Sequence, residues 1–286
     1  MTARQPSLSS RSVAIAAALI GTVSLAIGAH AALNKRALDP VRAVATEAGV
    51  ETGKTGAKLA LIIGNGHYPD ANEPLAQPIN DARALSGALR RDGYDVDVIE
   101  DANRDDMARA VERLQAKIKP DAVVMLFYGG YAIQAGRESY MIPVDAAIWK
   151  EADVRRQGTS VETLLDVMKQ KGARAKLVVL DAARRNPYER RFRAFSHGLA
   201  PIDAPANALI LSSATPGKVV DDSQASNSVL MTELLNNLEG KSAGAEAVFN
   251  NTRLAVSRAS DGEQVPSVSS SLLEDVRFGA APGAGS

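Results

Sequence analysis

The sequence predicts an α/β fold, a mostly parallel sheet with helices on both faces. Three observations predict it. Continuous apolar runs of strand length recur along the chain and stop at Gly, Asp or Ser. Longer segments between them carry apolar residues at helical spacing. The two kinds alternate, which requires crossover connections between parallel strands, and these are right-handed.

Each element follows in order. Lys58 to Gly64 (KLALIIG) is apolar throughout and bounded by Gly-Asn-Gly, as expected of a strand buried on both faces. Asn80 is placed to cap a helix with Ile79, Ala82, Leu85 and Leu89 on one face, ending near Gly93. Val96, Val98 and Ile99 mark a second strand. Met107, Val111, Leu114 and Ile118 share one face of a second helix, and Asp121 to Tyr128 (DAVVMLFY) gives a third strand. A shorter extended piece falls around Tyr140 to Val144. Thr159 and Glu162 form a capping-box pattern ahead of Val161, Leu164, Leu165 and Met168. Lys176 to Asp181 and Asn207 to Ser212 are the fourth and fifth strands, and amphipathic segments follow at Val229 to Leu238 and Ala245 to Ser260.

Composition narrows the function. The chain has 286 residues, 45% of them hydrophobic, enough for a sizeable core. Its formal net charge is zero, so no overall field attracts nucleic acid or acidic lipid, and no nucleic-acid partner is expected. Cysteine is absent, which removes disulfides, zinc–thiolate sites and every thiol nucleophile. The Asp and His residues show no ligand spacing, so neither metal nor cofactor is expected.

Arg4 and Arg11 precede the uncharged run Val13 to Ala29, and Ala29-His30-Ala31 has the small-x-small pattern of a signal-peptidase site. Residues 1–31 are therefore expected to be an export signal leading to a periplasmic or other extracytoplasmic location. The alternative is an uncleaved anchor holding the protein at a membrane through residues 13–33. Residues 32–57 read as a linker, 58–279 as the folded domain and 280–286 as a flexible tail. Gly53-Lys54-Thr55 imitates the end of a phosphate-binding loop, but Gly49 is one residue too close and the segment precedes its strand.

In open sheets of this kind function gathers at the carboxyl ends of the strands. Those exits carry Asn65 to Asp81, Tyr128 to Gln134 (YGGYAIQ), Asp181 to Tyr188 (DAARRNPY) and Ser212 to Asp222 (SSATPGKVVDD). Together with ALIIGN at Ala60 to Asn65, YMIPVDA at Tyr140 to Ala146 and QVP..SSSL at Gln264 to Leu272, in this order and spacing, they resemble the caspase-like cysteine peptidases. The similarity is to the bacterial branch related to metacaspases and paracaspases, and it runs from about Lys58 to Phe278.

The resemblance implies a His-Gly pair after the third strand and a Cys two residues after the Asp that ends the fourth. Here those positions hold Tyr131, Ala132 and Ala183. Ala183 has no lone pair to attack with, and a phenol with an ordinary pKa near 10 is a poor base at neutral pH. Tyr131 is also bulky enough to plug a groove. The resemblance further implies that an Asp after the first strand and the Asp two residues before the Cys form a pocket for Arg or Lys, which places Asp81 and Asp181 in it. The plainer alternatives are a helix-start acid for Asp81 and a strand-end cap of loop amides for Asp181.

Arg184, Arg185, Arg190, Arg191 and Arg193 crowd one loop, as a solvated surface, as a contact for an acidic partner, phosphate or lipid headgroups, or folding back on Asp81 and Asp181 as a pseudosubstrate. The expectation is an exported pseudopeptidase of the caspase-like fold that binds a peptide or protein partner bearing Arg or Lys. Three alternatives stand beside it: a cysteine-type endopeptidase in family label only, an unusual serine hydrolase pairing His67 with Ser212 or Ser213, and a purely structural envelope protein.

Overall fold

The computed structural model describes residues 56–69, 71, 74–182, 184, 199, 202–218, 225–239 and 244–279. The expected export signal and nearly all of the linker, the Gly53-Lys54-Thr55 segment, Ala183, Arg185, Arg190, Arg191, Arg193 and the tail lie outside the described residues.

Six strands form the main sheet: β1 (Lys58–Gly64), β2 (Asp95–Glu100), β3 (Val123–Gly129), β7 (Ala175–Asp181), β8 (Ala208–Ser212) and β9 (Ser267–Ser270), in the order β2-β1-β3-β7-β8-β9. The first five are parallel and β9 closes the edge antiparallel to β8. A small antiparallel sheet is built from β4 (Ala132–Ala135), β5 (Glu138–Met141) and β6 (Thr159–Ser160). The helices are α1 (Gln77–Arg91), α2 (Arg104–Lys117), α3 (Glu151–Gln157), α4 (Val161–Gln170), α5 (Val229–Leu238) and α6 (Ala245–Ala259).

The alternation of side chains along each strand divides the core in two. Leu59, Leu61, Ile63, Val124, Leu126, Val178 and Ile210 face Met107 and Leu114 of α2 and Leu164, Leu165 and Met168 of α4. Ala60, Ile62, Met125, Phe127, Leu177, Val179 and Leu211 face Ala82, Leu85 and Leu89 of α1, Leu230 and Leu234 of α5 and Phe249 of α6. Both faces of the sheet are thus covered, which is why its strands read as unbroken apolar runs.

Two helix starts differ from the sequence expectation. Asn80 lies inside α1, not at its cap, because Pro78 is tolerated in the first turn and lets the helix begin earlier. Its amide instead donates to the Ser226 carbonyl at 2.9 Å. Ser160, not Thr159, caps α4 by accepting from the Thr163 N–H. Glu162 is drawn away from a capping box because its carboxylate accepts the Ser139 N–H of β5 at 2.9 and 3.0 Å.

Asn65 ties three chain segments together just beyond β1. Its side-chain oxygen accepts the Ala102 N–H at 2.9 Å and its amide donates to the Ile142 carbonyl at 3.2 Å, all of this fully buried. Asn65→Ala leaves the Ala102 N–H without its acceptor, and is expected to cost about 2 kcal/mol. A urea titration checks this: the midpoint should fall with the slope unchanged, and a midpoint equal to the parent's would contradict the clamp.

Candidate functional site

The site is set by bare backbone at two strand ends. Gly64 and Gly129 are register partners, and Gly129 is in turn the partner of Asp181. A Cβ on Gly64 would lie 2.5 Å from the Pro78 carbonyl oxygen, and one on Gly129 would lie 3.2 Å from the Pro78 Cβ. The two glycines therefore let the first turn of α1 settle directly on the strand ends. That approach brings Asp81, on the next residues of the helix, into electrostatic contact with Asp181. β3 separates β1 from β7, so the exits of these two strands are not adjacent in the sheet. The helix bridges the gap.

Asp81 is completely buried. Its Oδ1 accepts the Asn227 amide at 2.8 Å and the Ser228 N–H, at the cap of α5, at 3.1 Å. Its Oδ2 is buried with no hydrogen-bond partner among the described residues. Burial, then the adjacent charge of Asp181, push the Asp81 carboxyl up to about 7, against the downward pull of Asn227 and Ser228. Asp81 lies beyond the first turn of α1, so the helix-start reading of this acid does not describe it.

Asp181 ends β7 and is also buried. Its carbonyl accepts the Gly130 N–H at 3.3 Å and a second hydrogen bond from the Arg184 guanidinium. Arg184, itself buried, places its other terminal nitrogen 3.5 Å from Asp181 Oδ2. One member of the arginine cluster thus folds back on one of the two acids.

Beside them lies a group of buried tyrosines. The Tyr68 and Tyr128 hydroxyls are 3.1 Å apart, and each lies 3.0 Å from the Ile142 carbonyl. Tyr68 accepts the Tyr131 N–H at 3.1 Å, and Tyr128 lies 2.6 Å from the Tyr131 carbonyl. Burial pushes the Tyr68 hydroxyl up to about 12 and the Tyr128 hydroxyl well above its ordinary range, so both are neutral hydrogen-bonding groups at any ordinary pH. Gly130 is required here: its φ is +152°, and a Cβ would lie 2.6 Å from the Tyr68 hydroxyl. The Tyr131 ring packs edge-on against Tyr68, centroids 4.7 Å apart, within a cluster that includes Ile133, Tyr140, Ile142 and Val154. It is core of the small-sheet region, and only 7% exposed.

His67 is not brought to Ser212 or Ser213. Its Nδ1 sits 2.6 Å from Asp101 Oδ2, on the β2 side of β1. Ser212 ends β8, three strand positions away on the other side, or roughly 14 Å at the usual strand spacing. The serine-hydrolase alternative lacks its geometry for that reason. Ser213 is buried, its carbonyl accepting from Gln264 at 2.8 Å.

A parallel sheet of this order, an antiparallel edge strand, helices on both faces and acids gathered at the strand exits define a caspase-like peptidase-family domain. The chain belongs to that family: the model described as Caspase domain matches residues 57–277. Among curated proteins it is similar to the human mucosa-associated lymphoid tissue lymphoma translocation protein 1, 28% identical over 133 residues, 46% of this chain and 16% of that protein. The mouse homolog matches with the same identity and coverage. The chain spans about a sixth of the length of these relatives.

The sequence pointed to Asp81, Asp181 and, within the arginine cluster, Arg184, but not to Asn227, Ser228 or the tyrosine group. The Asn227–Asp81 contact joins residues 146 positions apart, and no local pattern announces it. The repeated Tyr in GNGHY, LFYGGY and SYMIP was the available signal for the tyrosines. Among the described residues no helix is long and apolar enough to cross a membrane.

Proposed function

We propose that this protein is an exported pseudopeptidase of the caspase family that acts by binding a basic side chain of a peptide or protein partner. The observation that carries the reading is the buried acid pair: the charge of Asp181 acts on Asp81, and Asp81 Oδ2 has no hydrogen-bond partner among the described residues. A buried carboxylate oxygen left unpaired is costly to the fold, and a guanidinium donor would satisfy it. The absence of chemistry is supported by composition: the chain holds no cysteine, and Tyr131 and Ala183 stand where the family's His and Cys are expected. The packing of Tyr131 into the core agrees with a residue kept for structure.

Calorimetry with two peptides tests the pocket. An acetylated tripeptide ending in Arg is expected to bind more tightly than the same peptide ending in Gln by about 1.5–3 kcal/mol, the range for a charge-assisted hydrogen bond. Salt should weaken this preference only in part, since a recessed pair is poorly screened. Equal affinities would leave the structural reading of the two acids in place.

A further inference from the structure

We infer that Arg184 is a resident occupant of the acidic pocket, and that a ligand's basic group enters by displacing it from Asp181. The inference rests on the binding reading given above and adds its regulation.

Three observations support it. Arg184 and Asp181 are each almost fully buried, so the ion pair lies inside the site and not on its rim. The cation also acts on Tyr68 and Tyr128, which places its charge near the buried tyrosines that flank Gly130, itself hydrogen-bonded to the Asp181 carbonyl. Finally, its grip on the carboxylate is poor. The approach to Asp181 Oδ2 is 3.5 Å, at the limit of a hydrogen bond, whereas an unconstrained guanidinium and carboxylate pair through two short bonds.

The chain itself explains the poor fit. Arg184 is only three residues beyond Asp181 and its guanidinium is already anchored on the Asp181 carbonyl, so the same group cannot also span to Asp81. Among the described residues no donor reaches Asp81 Oδ2. A basic side chain arriving from a separate peptide carries no such tether and can present its donors to both carboxylates. It cannot do so while Arg184 remains, because two guanidinium groups on one buried carboxylate repel each other and compete for the same lone pairs. Arg184 thus holds Asp181 in a neutralised state when no ligand is bound and sets a threshold that weakly basic or badly aligned groups do not pass.

Calorimetry with the full chain and its Arg184→Gln and Arg184→Met variants tests this, using the Arg-ended and Gln-ended tripeptides. Both variants are expected to bind the Arg-ended peptide at least tenfold more tightly than the parent, with binding of the Gln-ended peptide unchanged. Equal Arg preference in parent and variants would overturn the occupancy and leave the pocket standing. Lack of Arg preference in all three proteins would overturn the pocket and the occupancy with it.

If the variants do not fold, the unaltered protein still decides the matter through the Arg184 side-chain Nε–H resonance. Its protection from exchange with water should fall at least tenfold when the Arg-ended peptide saturates the protein. Unchanged protection at saturation would overturn the displacement.

Discussion

The purified protein is expected to give no turnover of reporter peptides ending in Arg, Lys or Asp, and no adduct with cysteine-directed alkylators. This is the largest effect in the account. Loss of the nucleophile alone from a serine peptidase costs on the order of 10⁶ in turnover, equivalent to about 8 kcal/mol of barrier. Here the thiol is missing from the whole chain, and Tyr131 has its ring in the core and its N–H and carbonyl held by Tyr68, Ile142 and Tyr128. A reporter assay followed through successive purification steps checks the expectation. Activity that tracks with the protein to homogeneity would contradict it, and activity abolished by His67→Ala would revive a hydrolase despite the separation of His67 from Ser212.

Stability is expected to fall as pH rises from about 4 to about 7, through Asp81. Its folded-state carboxyl is pushed up to about 7 from an ordinary 3.8, so between those values the folded protein holds a proton that the unfolded chain has released. Stability therefore decreases with rising pH across that window, by at most ~1.4 kcal/mol per pH unit and up to about 4 kcal/mol in all. The contribution is fully present below pH 4 and lost as pH passes 7. Asp81→Asn should remove this dependence, since a neutral amide can offer its oxygen to Asn227 and Ser228 and its NH₂ toward Asp181. Denaturant titrations of both proteins between pH 4.5 and 8 check it. The variant should gain on the parent steadily as pH rises, and parallel curves would contradict the ionisation assigned to Asp81.

The large parallel sheet was legible because a strand buried on both faces leaves an unbroken apolar run. β1 at Lys58–Gly64 falls where its apolar run placed it, and the helix α5 at Val229–Leu238 where its amphipathic spacing did. What escaped notice was short or weakly patterned. β4 is four residues, β6 is two, and α3 is a seven-residue helix with only Asp153 and Val154 buried, whereas the extended piece expected around Tyr140 is β5, which begins two residues earlier at Glu138. β9, with the sequence SVSS, is a largely polar edge strand whose identity depends on its pairing with β8. The helix starts were misplaced by one to a few residues because Pro78 and Ser160 compete with equally plausible caps nearby. Asp81 and Asp181 entered through family resemblance and not through periodicity. The environment that gives them meaning is long-range: a loop before α5 for one and a crowded loop arginine for the other.

The pH dependence of ligand preference tests the central claim most directly, because it asks whether the buried acids themselves hold the ligand. Affinities of the Arg-ended and Gln-ended tripeptides should be measured by calorimetry from pH 5.5 to 8.5. The preference for Arg is expected to grow across this range as Asp81 gives up its proton, and to level off above about pH 8. A preference that is absent at every pH, or present but flat, would contradict the claim that Asp81 and Asp181 form a binding pocket for a basic side chain.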